Sequence, residues 1–340
     1  MLMIFELMKI VVKIRKVTLI LVTIIFLVFS SFFTWWLEPE TFQTPFIAFW
    51  YVMTTVTTTG YGDFVPQTTQ GRLFGLFLYF FGIGLIGIVI GKIVEGFSVY
   101  RKLKEEGKLT FKGKGHYVII GWSNKANHAI KEIKQIDEKA TFVLIDYAKK
   151  SPLEDESVFF VHGDATEKYI LEKANIRDAK SVLIFTRANE LDPIAADGKS
   201  LIIVSSIESY ATEINKEIYT IVEILKEKHI PNFEHANVDE FILADEALSD
   251  LMAKSAVHKG SGKLIMKLLS SKNDVDLWKI KKRAQWKTYN DAFEDLKKEG
   301  ANLLADRNDF SILTKLDEMI PTDAEFFIIC SKDTYQKVTQ

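Results

Sequence analysis

The stretch Thr57-Thr58-Thr59-Gly60-Tyr61-Gly62-Asp63 lies between two long apolar segments and follows a short helix pattern rich in aromatic residues. Its two glycines allow backbone angles that other residue types resist, so the loop can point successive carbonyl groups in one direction. A surface turn with incidental glycines is the alternative interpretation. The run of threonines and the position between two apolar segments favour a specialised re-entrant loop.

The two apolar segments have the length and composition of membrane spans. The first, Val17 to Leu37, carries no charge and is long enough for a hydrocarbon core of about 30 Å. Trp35 and Trp36 stand at its end, where aromatic belts form. The second runs from about Leu73 to Phe97. The first apolar run is too long for the core of a signal peptide, so we predict a multi-pass membrane protein without a cleavable signal.

Charges beside the spans predict their orientation. Basic residues precede the first span and follow the second, whereas Glu38 and Glu40 lie between them. Because basic residues collect on the cytoplasmic side, both termini are predicted to be cytoplasmic, in the cell membrane. Residues 1–16 form either an interfacial helix or the frayed start of the first span. The lone cysteine, Cys330, fits a reducing compartment, and the net charge of −2 gives no case for nucleic acid.

A short helix is predicted between the spans. Thr44-Pro45 has the pattern of an N-cap followed by a proline in the first turn. The helix from about Pro45 to Thr57 is too short to cross a membrane and fits a re-entrant pore helix. Its C-terminal dipole end would then face a cation in a central cavity.

With Thr59 in place of the usual valine, T-T-G-Y-G-D resembles the filter signature of potassium channels. The resemblance implies a selectivity filter made of Thr58, Thr59, Gly60, Tyr61, Gly62 and Asp63. It implies K⁺ as the permeant ion, held by the carbonyls of Thr58, Thr59, Gly60 and Tyr61, with the Thr58 hydroxyl as the innermost ligand. Since such a filter needs four loops, we expect a homotetramer assembled through the pore.

The same resemblance implies supporting side chains around the filter. Trp50 and Tyr51 occupy the positions of an aromatic cuff, so we expect Tyr51 near Tyr61 and Trp50 near Asp63; ordinary packing is the alternative. Thr54 stands where some potassium channels carry a buried carboxylate. The Thr59 hydroxyl needs a partner behind the filter.

Glycines punctuate the second span, and two of them are candidates for gating. The resemblance implies a gating hinge at Gly82 and a small residue near the inner constriction at Gly87, whereas close helix packing is the alternative. The chain has no arginine-rich span, so no voltage sensor is expected.

From His116 onward, strand and helix patterns alternate, which predicts a parallel, doubly wound sheet of the Rossmann-like α/β class. Asp146 follows Gly121 by the spacing of an acid that binds a ribose. The glycine fingerprint is incomplete, because Ser123 and Ala126 replace its second and third glycines.

This part resembles the regulator-of-potassium-conductance (RCK) domain, through V-I-I-G-W-S at Val118–Ser123, H-G-D-A-T at His162–Thr166 and L-E-K-A-N-I at Leu171–Ile176. Calcium-gated archaeal members of that family bind calcium through three carboxylates. Only Glu223 is retained here, since the other positions hold Phe185 and Leu225, so calcium is not expected at that site.

The regulatory ligand, a divalent cation or an adenine nucleotide, is expected at the carboxyl edge of the sheet. Helix capping and ordinary surface acids are the alternative. The candidate ligand-binding residues are Gly121, Asp146, Asp164 and Glu223, with Glu190 and Asp192 as further carboxylates.

We divide the chain into a two-span pore domain (1–97), a linker that would pull on the inner helix (98–114), the N-terminal RCK domain (115–258) and a small α+β C-terminal lobe (259–340). Four pores in this family commonly carry eight RCK domains. Because no methionine lies between Met53 and Met252, an ordinary internal start cannot supply the extra domains. A start at another codon and RCK domains from a separate chain are the two sources left open.

The leading hypothesis is a potassium-selective channel, not an enzyme, gated by a ligand at a cytosolic RCK ring. A membrane-tethered NAD-dependent oxidoreductase is the first alternative; the broken fingerprint and the lack of a base–nucleophile pair count against it. A regulatory subunit of a potassium transporter is the second, although transporters need more than two spans.

Overall fold

A computed structural model of the chain describes residues 16–188, 190, 192–270 and 274–339. The interfacial helix considered for residues 1–16 therefore lies outside the described residues, except for Lys16. The chain divides into two compact units, one up to Leu103 and one from Lys104. This division falls further along the chain than the predicted domain end at 97.

The first unit is helical. Its elements are α1 (Lys16–Leu37), α2 (Pro45–Val56), α3 (Thr69–Phe77), a π-helical turn (Leu78–Gly82) and α4 (Ile83–Glu105). Two stretches, Val17–Leu37 and the continuous Thr69–Glu105, are long and apolar enough to cross a membrane. The predicted pair of spans is confirmed, and the second is longer at both ends than the sequence pattern indicated.

Helix α2 begins where its capping residues predict. The Thr44 side chain accepts a hydrogen bond from the Ile47 amide, and Pro45 occupies the first turn. At 12 residues, α2 extends about 18 Å, too short to span a membrane. Its buried face packs with Phe42 before it and Leu78 of the π turn.

The second unit contains a six-stranded sheet with the order β3-β2-β1-β4-β5-β6, parallel throughout. Its strands are β1 (His116–Ile120), β2 (Phe142–Asp146), β3 (Val158–His162), β4 (Ala179–Ile184), β5 (Thr220–Ile224) and β6 (Glu240–Leu243). The order in which the strands follow one another across the sheet reverses between β1 and β4, which makes the sheet doubly wound. The predicted Rossmann-like α/β fold is confirmed.

Helices cover both faces of this sheet. They are α5 (Asn124–Ile136), α6 (Lys168–Lys173), α7 (Pro193–Glu213) and α8 (Ile230–His235), with α9 (Ala244–Val257) and α10 (Ser261–Leu269) after the last strand. Ala126 and Ile130 of α5 pack on one face, and Val204 and Ile207 of α7 pack on the other. Strand β2 is buried throughout, as expected for a central strand covered on both sides.

A small antiparallel sheet forms the C-terminal lobe, with the order β7-β9-β8. Its elements are β7 (Val275–Lys281), α11 (Tyr289–Glu299), β8 (Asn302–Asp306), β9 (Glu325–Ser331) and α12 (Lys332–Val338). Trp286 and Phe326 are fully buried in its core, with their rings edge to face. This arrangement confirms the predicted α+β lobe.

The segment after α4 runs along the sheet of the second unit and is bonded to it. The Gly107 carbonyl accepts hydrogen bonds from the His162 amide at 3.1 Å and from Lys173 Nζ at 2.7 Å. Further along, the Phe111 amide donates to the Lys173 carbonyl at 2.9 Å. The first part of the predicted linker is thus helical, as the end of α4, and the rest is attached to the ends of β3 and α6.

Gly107 is the tightest point of this attachment. Its φ is +61°, and a Cβ at this position would overlap the His162 amide nitrogen. Gly115 has a similar φ of +66° but faces open space. We therefore expect Gly107→Ala to cost about 1–3 kcal/mol more than Gly115→Ala, because both variants bear the backbone strain and only the first adds a collision.

Thermal unfolding of the full chain in detergent measures this difference. Equal unfolding temperatures for the two variants would show that the segment is not held against β3.

Candidate functional site

The glycine-rich loop after α2 has an alternating backbone. Thr58, Gly60 and Gly62 have φ values of +62°, +57° and +75°, while Thr59 and Tyr61 between them have negative φ. Alternation between left- and right-handed conformations turns each peptide plane so that successive carbonyls point to the same side. A threonine with positive φ is strained, and such strain persists only where neighbouring contacts hold it.

The C-terminal end of α2 holds the loop through backbone contacts. The Thr54 carbonyl accepts hydrogen bonds from the Thr59 amide at 2.8 Å and the Gly60 amide at 3.0 Å. The Thr58 amide donates to the Thr55 carbonyl at 3.1 Å. Thr54 therefore supports the loop with its carbonyl, because its hydroxyl is directed to the Tyr51 carbonyl.

The Thr59 hydroxyl has a partner behind the loop. Thr57 Oγ1 lies 3.1 Å from Thr59 Oγ1 and 2.7 Å from the Met53 carbonyl oxygen. The single proton of the Thr57 hydroxyl goes to that carbonyl, so Thr59 is the donor of the other bond. The hydroxyl that departs from the usual valine is thus bound to the chain itself.

At the outer end of the loop, Trp50 contacts two predicted site residues. Its Nε1 donates to Asp63 Oδ2 at 2.8 Å, and its ring stacks on Tyr61 with centroids 5.7 Å apart and an interplanar angle of 4°. Tyr51, one position further along the helix, points to a different side and packs on Phe42. Within one chain, the expected Tyr51–Tyr61 contact is therefore replaced by Trp50–Tyr61.

The two candidate gating glycines have different surroundings. A Cβ at Gly82 would lie 2.5 Å from Cγ2 of Val56, the last residue of α2, so this glycine permits a close approach of the two helices. Gly82 also ends the π-helical turn, a local irregularity that often marks a functional site. Gly87 faces open space within the chain. Packing explains Gly82, and the hinge remains a prediction.

In the second unit, Asp146 is buried at the carboxyl edge of the sheet and fully hydrogen-bonded. Its two oxygens accept from the Trp122 and Ala148 amides, both at 2.9 Å. Arg187 binds the same carboxylate with Nε at 3.0 Å and a terminal nitrogen at 2.9 Å. A ribose hydroxyl at Asp146 would have to displace Arg187, whose guanidinium also lies over the Tyr147 ring.

A cavity of about 500 Å³ opens beside this ion pair at the ends of β1, β2 and β4. Its size suits a small-molecule ligand. The structure brings four of the six predicted residues together there, whereas Glu223 and Asp192 do not line it. The polar and glycine residues of the lining are Gly121, Asp146, Tyr147, Gly163, Asp164, Thr166, Thr186, Arg187, Glu190, Lys199 and Ser200.

The glycine and the second aspartate of this cavity have separate roles. Gly121 has a φ of +87°, and a Cβ there would overlap the Phe185 carbonyl, so the turn requires glycine. Burial raises the pKa of Asp164, but hydrogen bonds from Tyr147 and Thr166 outweigh it and lower the pKa below its usual value. Burial and the bond to Asp164 raise the pKa of Tyr147 to about 12, so its phenol stays a proton donor.

Glu223 does not line the cavity, and the ammonium group of Lys125 lies beside it. The side chain is buried, accepts from the Thr186 amide at 2.9 Å and forms an ion pair with Lys125. Among the residues that the structure describes, no group of three or more His, Cys, Asp or Glu side chains is arranged to hold a metal ion.

Comparisons with known proteins identify both units. A family model described as ion channel matches residues 18–98, and the TrkA-N domain model matches residues 117–244. The chain combines an ion channel domain with a TrkA-N domain. The resemblance predicted from the filter and the RCK motifs is confirmed.

Relatives of the chain are potassium channels, which are not enzymes. It is 32% identical over 216 residues to the putative potassium channel protein YugO of Bacillus subtilis, covering 64% of each protein. It is 30% identical over 237 residues to the calcium-gated potassium channel TvoK of Thermoplasma volcanium, covering 69% of this chain and 66% of TvoK. The chain thus spans just under two thirds of these relatives.

A solved structure described as the GsuK channel bound to NAD aligns with 94% of this chain and with 58% of the GsuK chain. The two share 13% sequence identity, and the TM-score is 0.47. The matches to channel proteins, together with the two apolar helices, place the chain in a membrane.

Three contacting side chains were not anticipated from the sequence. In the ion channel domain, the sequence places Thr57 at the end of the short helix and the start of the loop but indicates no contact for its hydroxyl. In the TrkA-N domain, Arg187 and Lys125 neutralise Asp146 and Glu223. A signal was present for Arg187, since it follows β4, whose carboxyl end lies at the same edge of the sheet as the end of β2. Lys125, in the first turn of α5, has no comparable signal.

We predict that Asp146→Asn in the full chain disturbs ligand binding, because it removes one carboxylate oxygen and releases Arg187 into the cavity. Calcium and ATP serve as separate probes, and their effect on the unfolding temperature is measured in detergent. For the probe that stabilises the wild type, the concentration that gives half of the stabilisation should shift by about tenfold. This change is the equivalent of one charged hydrogen bond.

Asp155→Asn is the matched control, since Asp155 pairs with Lys134 and lies outside the cavity lining. It should leave the midpoint within about twofold. An unchanged midpoint in Asp146→Asn, or a wild type that neither probe stabilises, would count against this cavity.

Proposed function

We propose that four copies of the chain form a potassium-selective channel and that a ligand at the TrkA-N domain controls its conduction. The alternating φ values of Thr58, Gly60 and Gly62 are the observation that carries the proposal. Carbonyls that point to one side replace the hydration shell of K⁺ when four loops surround an axis. The channel relatives support the same conclusion.

In this channel, K⁺ is coordinated by the backbone carbonyls of residues 58–61, and the Thr58 hydroxyl provides the innermost ligand. The Thr59 hydroxyl donates to Thr57 behind the loop, so the departure from valine leaves the coordinating oxygens unchanged. Asp63, held by Trp50, closes the outer end of the filter.

Both termini are cytoplasmic in the proposed orientation. Lys16 precedes the first span, and Arg101, Lys102 and Lys104 lie in the last turns of the second, which fits the positive-inside rule. The TrkA-N domain then lies in the cytosol, where its ligand is available.

Gating follows from the attachment of the segment after α4. A ligand that binds the cavity more tightly in one state of the TrkA-N domain shifts the balance between the two states. The cavity includes Gly163, directly after the end of β3, and the neighbouring His162 amide donates to Gly107. A change at this edge is therefore transmitted to the end of α4, with a bend at Gly82 and the constriction near Gly87 as the responding elements.

The regulatory ligand is a divalent cation or an adenine nucleotide. One relative is named a calcium-gated channel, which supports the cation. The charges of this chain favour the nucleotide, because Lys125 and Arg187 already neutralise the two buried carboxylates and a divalent cation would compete with both.

Flux through the purified protein in liposomes tests the proposed channel. We expect potassium flux that exceeds sodium flux, and its loss in Gly60→Ala and in Gly62→Ala. An alanine in a left-handed conformation costs roughly 1–2 kcal/mol, and every copy in the filter bears that cost.

Gly84→Ala is the control, because Gly84 lies in α4 and faces open space within the chain. Unchanged selective flux in both filter variants would contradict the proposed filter. An absence of flux in the wild type, with a second membrane chain in the purified sample, would favour the transporter-subunit alternative.

The exposed apolar side chains of α9 and α10, which follow the TrkA-N domain, support assembly of the second units. Neither helix has a buried residue. Soluble surfaces rarely leave so much apolar area uncovered. We propose that a second copy covers this surface, although a TrkA-N domain from a separate chain would fit it equally. The exposed apolar residues are Leu248, Met252, Val257, Leu264, Met266 and Leu269.

Cysteine cross-linking tests this pairing. The only native cysteine, Cys330, is buried, so the background reaction is low. Leu264→Cys, treated with a bismaleimide in the full chain, should give a covalent dimer. Ile136→Cys, an exposed apolar position at the end of α5, should not. Dimer formation by neither variant would contradict pairing through α10.

A further inference from the structure

The carboxylate at the end of β2 has no hydrogen-bond acceptor site left for a ligand. An ionised carboxylate has about four lone-pair sites. Oδ2 of Asp146 accepts from the Trp122 amide at 2.9 Å and from Arg187 Nε at 3.0 Å. Its Oδ1 accepts from the Ala148 amide and from a terminal nitrogen of Arg187, both at 2.9 Å. The chain itself therefore uses all four sites.

The turn after β1 is also bonded within the chain. In a dinucleotide site, this turn approaches the pyrophosphate with its backbone. Here the Gly121 amide donates to the Ile145 carbonyl at 3.1 Å, and the Trp122 amide donates to Asp146. The turn that would hold a pyrophosphate and the acid that would hold a ribose are thus bonded to each other.

Arg187 has hydrogen-bond donors that the chain does not use. A guanidinium carries five N–H donors, and two of those of Arg187 bind Asp146. Within the part of the chain that the structure describes, the other three have no acceptor. The side chain lines the cavity and remains 38% exposed. Because the guanidinium also lies over the Tyr147 ring, its position is fixed from two sides.

The other acidic side chains of the cavity have donors from the chain. Asp164 accepts from the Thr166 amide at 2.9 Å and hydroxyl at 2.8 Å, and from the Tyr147 hydroxyl. Glu190 forms an ion pair with Lys199. Each carboxylate of the lining thus has a partner, whereas the guanidinium has donors in excess. A ligand is therefore recognised through its own acceptor atoms.

We propose that Arg187 determines the specificity of the cavity, by binding a phosphate group of the ligand and by keeping Asp146 from the ribose. The inference rests on the proposed ligand control and deepens it, because it names the ligand class: a nucleotide recognised by its phosphates, with either ribose or 2′-deoxyribose. Phosphate oxygens are acceptors, and a guanidinium can bind two of them side by side. The ribose hydroxyls find no free lone pair on Asp146.

The test compares three probes in the full chain in detergent without divalent cations: ATP, 2′-deoxy-ATP and tripolyphosphate. For each probe, the unfolding temperature gives the concentration at half of the stabilisation. ATP and 2′-deoxy-ATP should agree within about twofold, because no hydrogen bond to the 2′-hydroxyl is lost. Tripolyphosphate should also stabilise. A preference of about tenfold for ATP over 2′-deoxy-ATP would overturn the proposal, and so would a wild type that none of the three stabilises.

Arg187→Leu removes the guanidinium and frees two acceptor sites of Asp146. Stabilisation by tripolyphosphate should weaken by at least about tenfold, and ATP should now bind about tenfold more tightly than 2′-deoxy-ATP. Arg177→Leu is the matched control, because Arg177 is exposed and does not line the cavity. Wild-type binding of all three probes by Arg187→Leu would contradict the role of Arg187.

A second variant decides the question if Arg187→Leu does not fold, which size-exclusion chromatography shows. Arg187→Lys keeps the positive charge but lacks the planar fork, so all three probes should weaken by about tenfold. Unchanged binding in this variant would overturn the proposal.

Binding and flux separate this inference from the proposed channel. If the wild type shows no selective flux in liposomes, the proposed channel fails, and the pattern of the three probes still decides the role of Arg187. If flux is selective but no probe binds, the pore stands and the proposal for Arg187 fails.

Discussion

The backbone of residues 58–62 must be held in alternating left- and right-handed conformations, and the first unit depends on how this is done. In the proposed channel, carbonyls that bind an ion cannot also be bound by the protein, so the loop must do without the internal hydrogen bonds that stabilise helices and strands. Its stability comes from contacts on its other side. The Thr54 carbonyl, the Thr57 hydroxyl and the Trp50–Asp63 bond supply them. The short helix α2 therefore serves mainly as a scaffold for a strained segment.

In the second unit, ion pairs stabilise the buried carboxylates at the carboxyl edge of the parallel sheet. Parallel strands bring their carboxyl ends to one edge, which collects acidic side chains and exposed carbonyls in a small volume. Arg187 and Lys125 neutralise Asp146 and Glu223, so the edge is stable without a bound ligand. A ligand that reached the Asp146 carboxylate would have to replace Arg187, and the free energy of that contact would be the difference between two paired states.

Sequence patterns predicted the spans, the pore helix and the Rossmann-like sheet because each depends on local periodicity and capping. The Trp50–Asp63 contact could be predicted only from the resemblance of the loop to the filter of potassium channels. The partners of Asp146 and Glu223 were not, because Arg187 and Lys125 are distant from them along the chain and only the folded sheet brings them together. The stacking of Trp50, in place of Tyr51, on Tyr61 depends on helix rotation, which a sequence motif does not record.

The π-helical turn at Leu78–Gly82 also changes the direction in which the side chains of α4 face around the helix axis. A π turn accommodates one residue more than an α turn, and one residue corresponds to about 100° of rotation. A helical wheel drawn from Thr69 as one uninterrupted α-helix would therefore misplace every side chain from Ile83 to Glu105. Each of them is rotated by that angle about the helix axis. A single deletion within the turn would rotate the whole C-terminal half of the helix, and with it the set of side chains presented to each side, without altering any residue of that half.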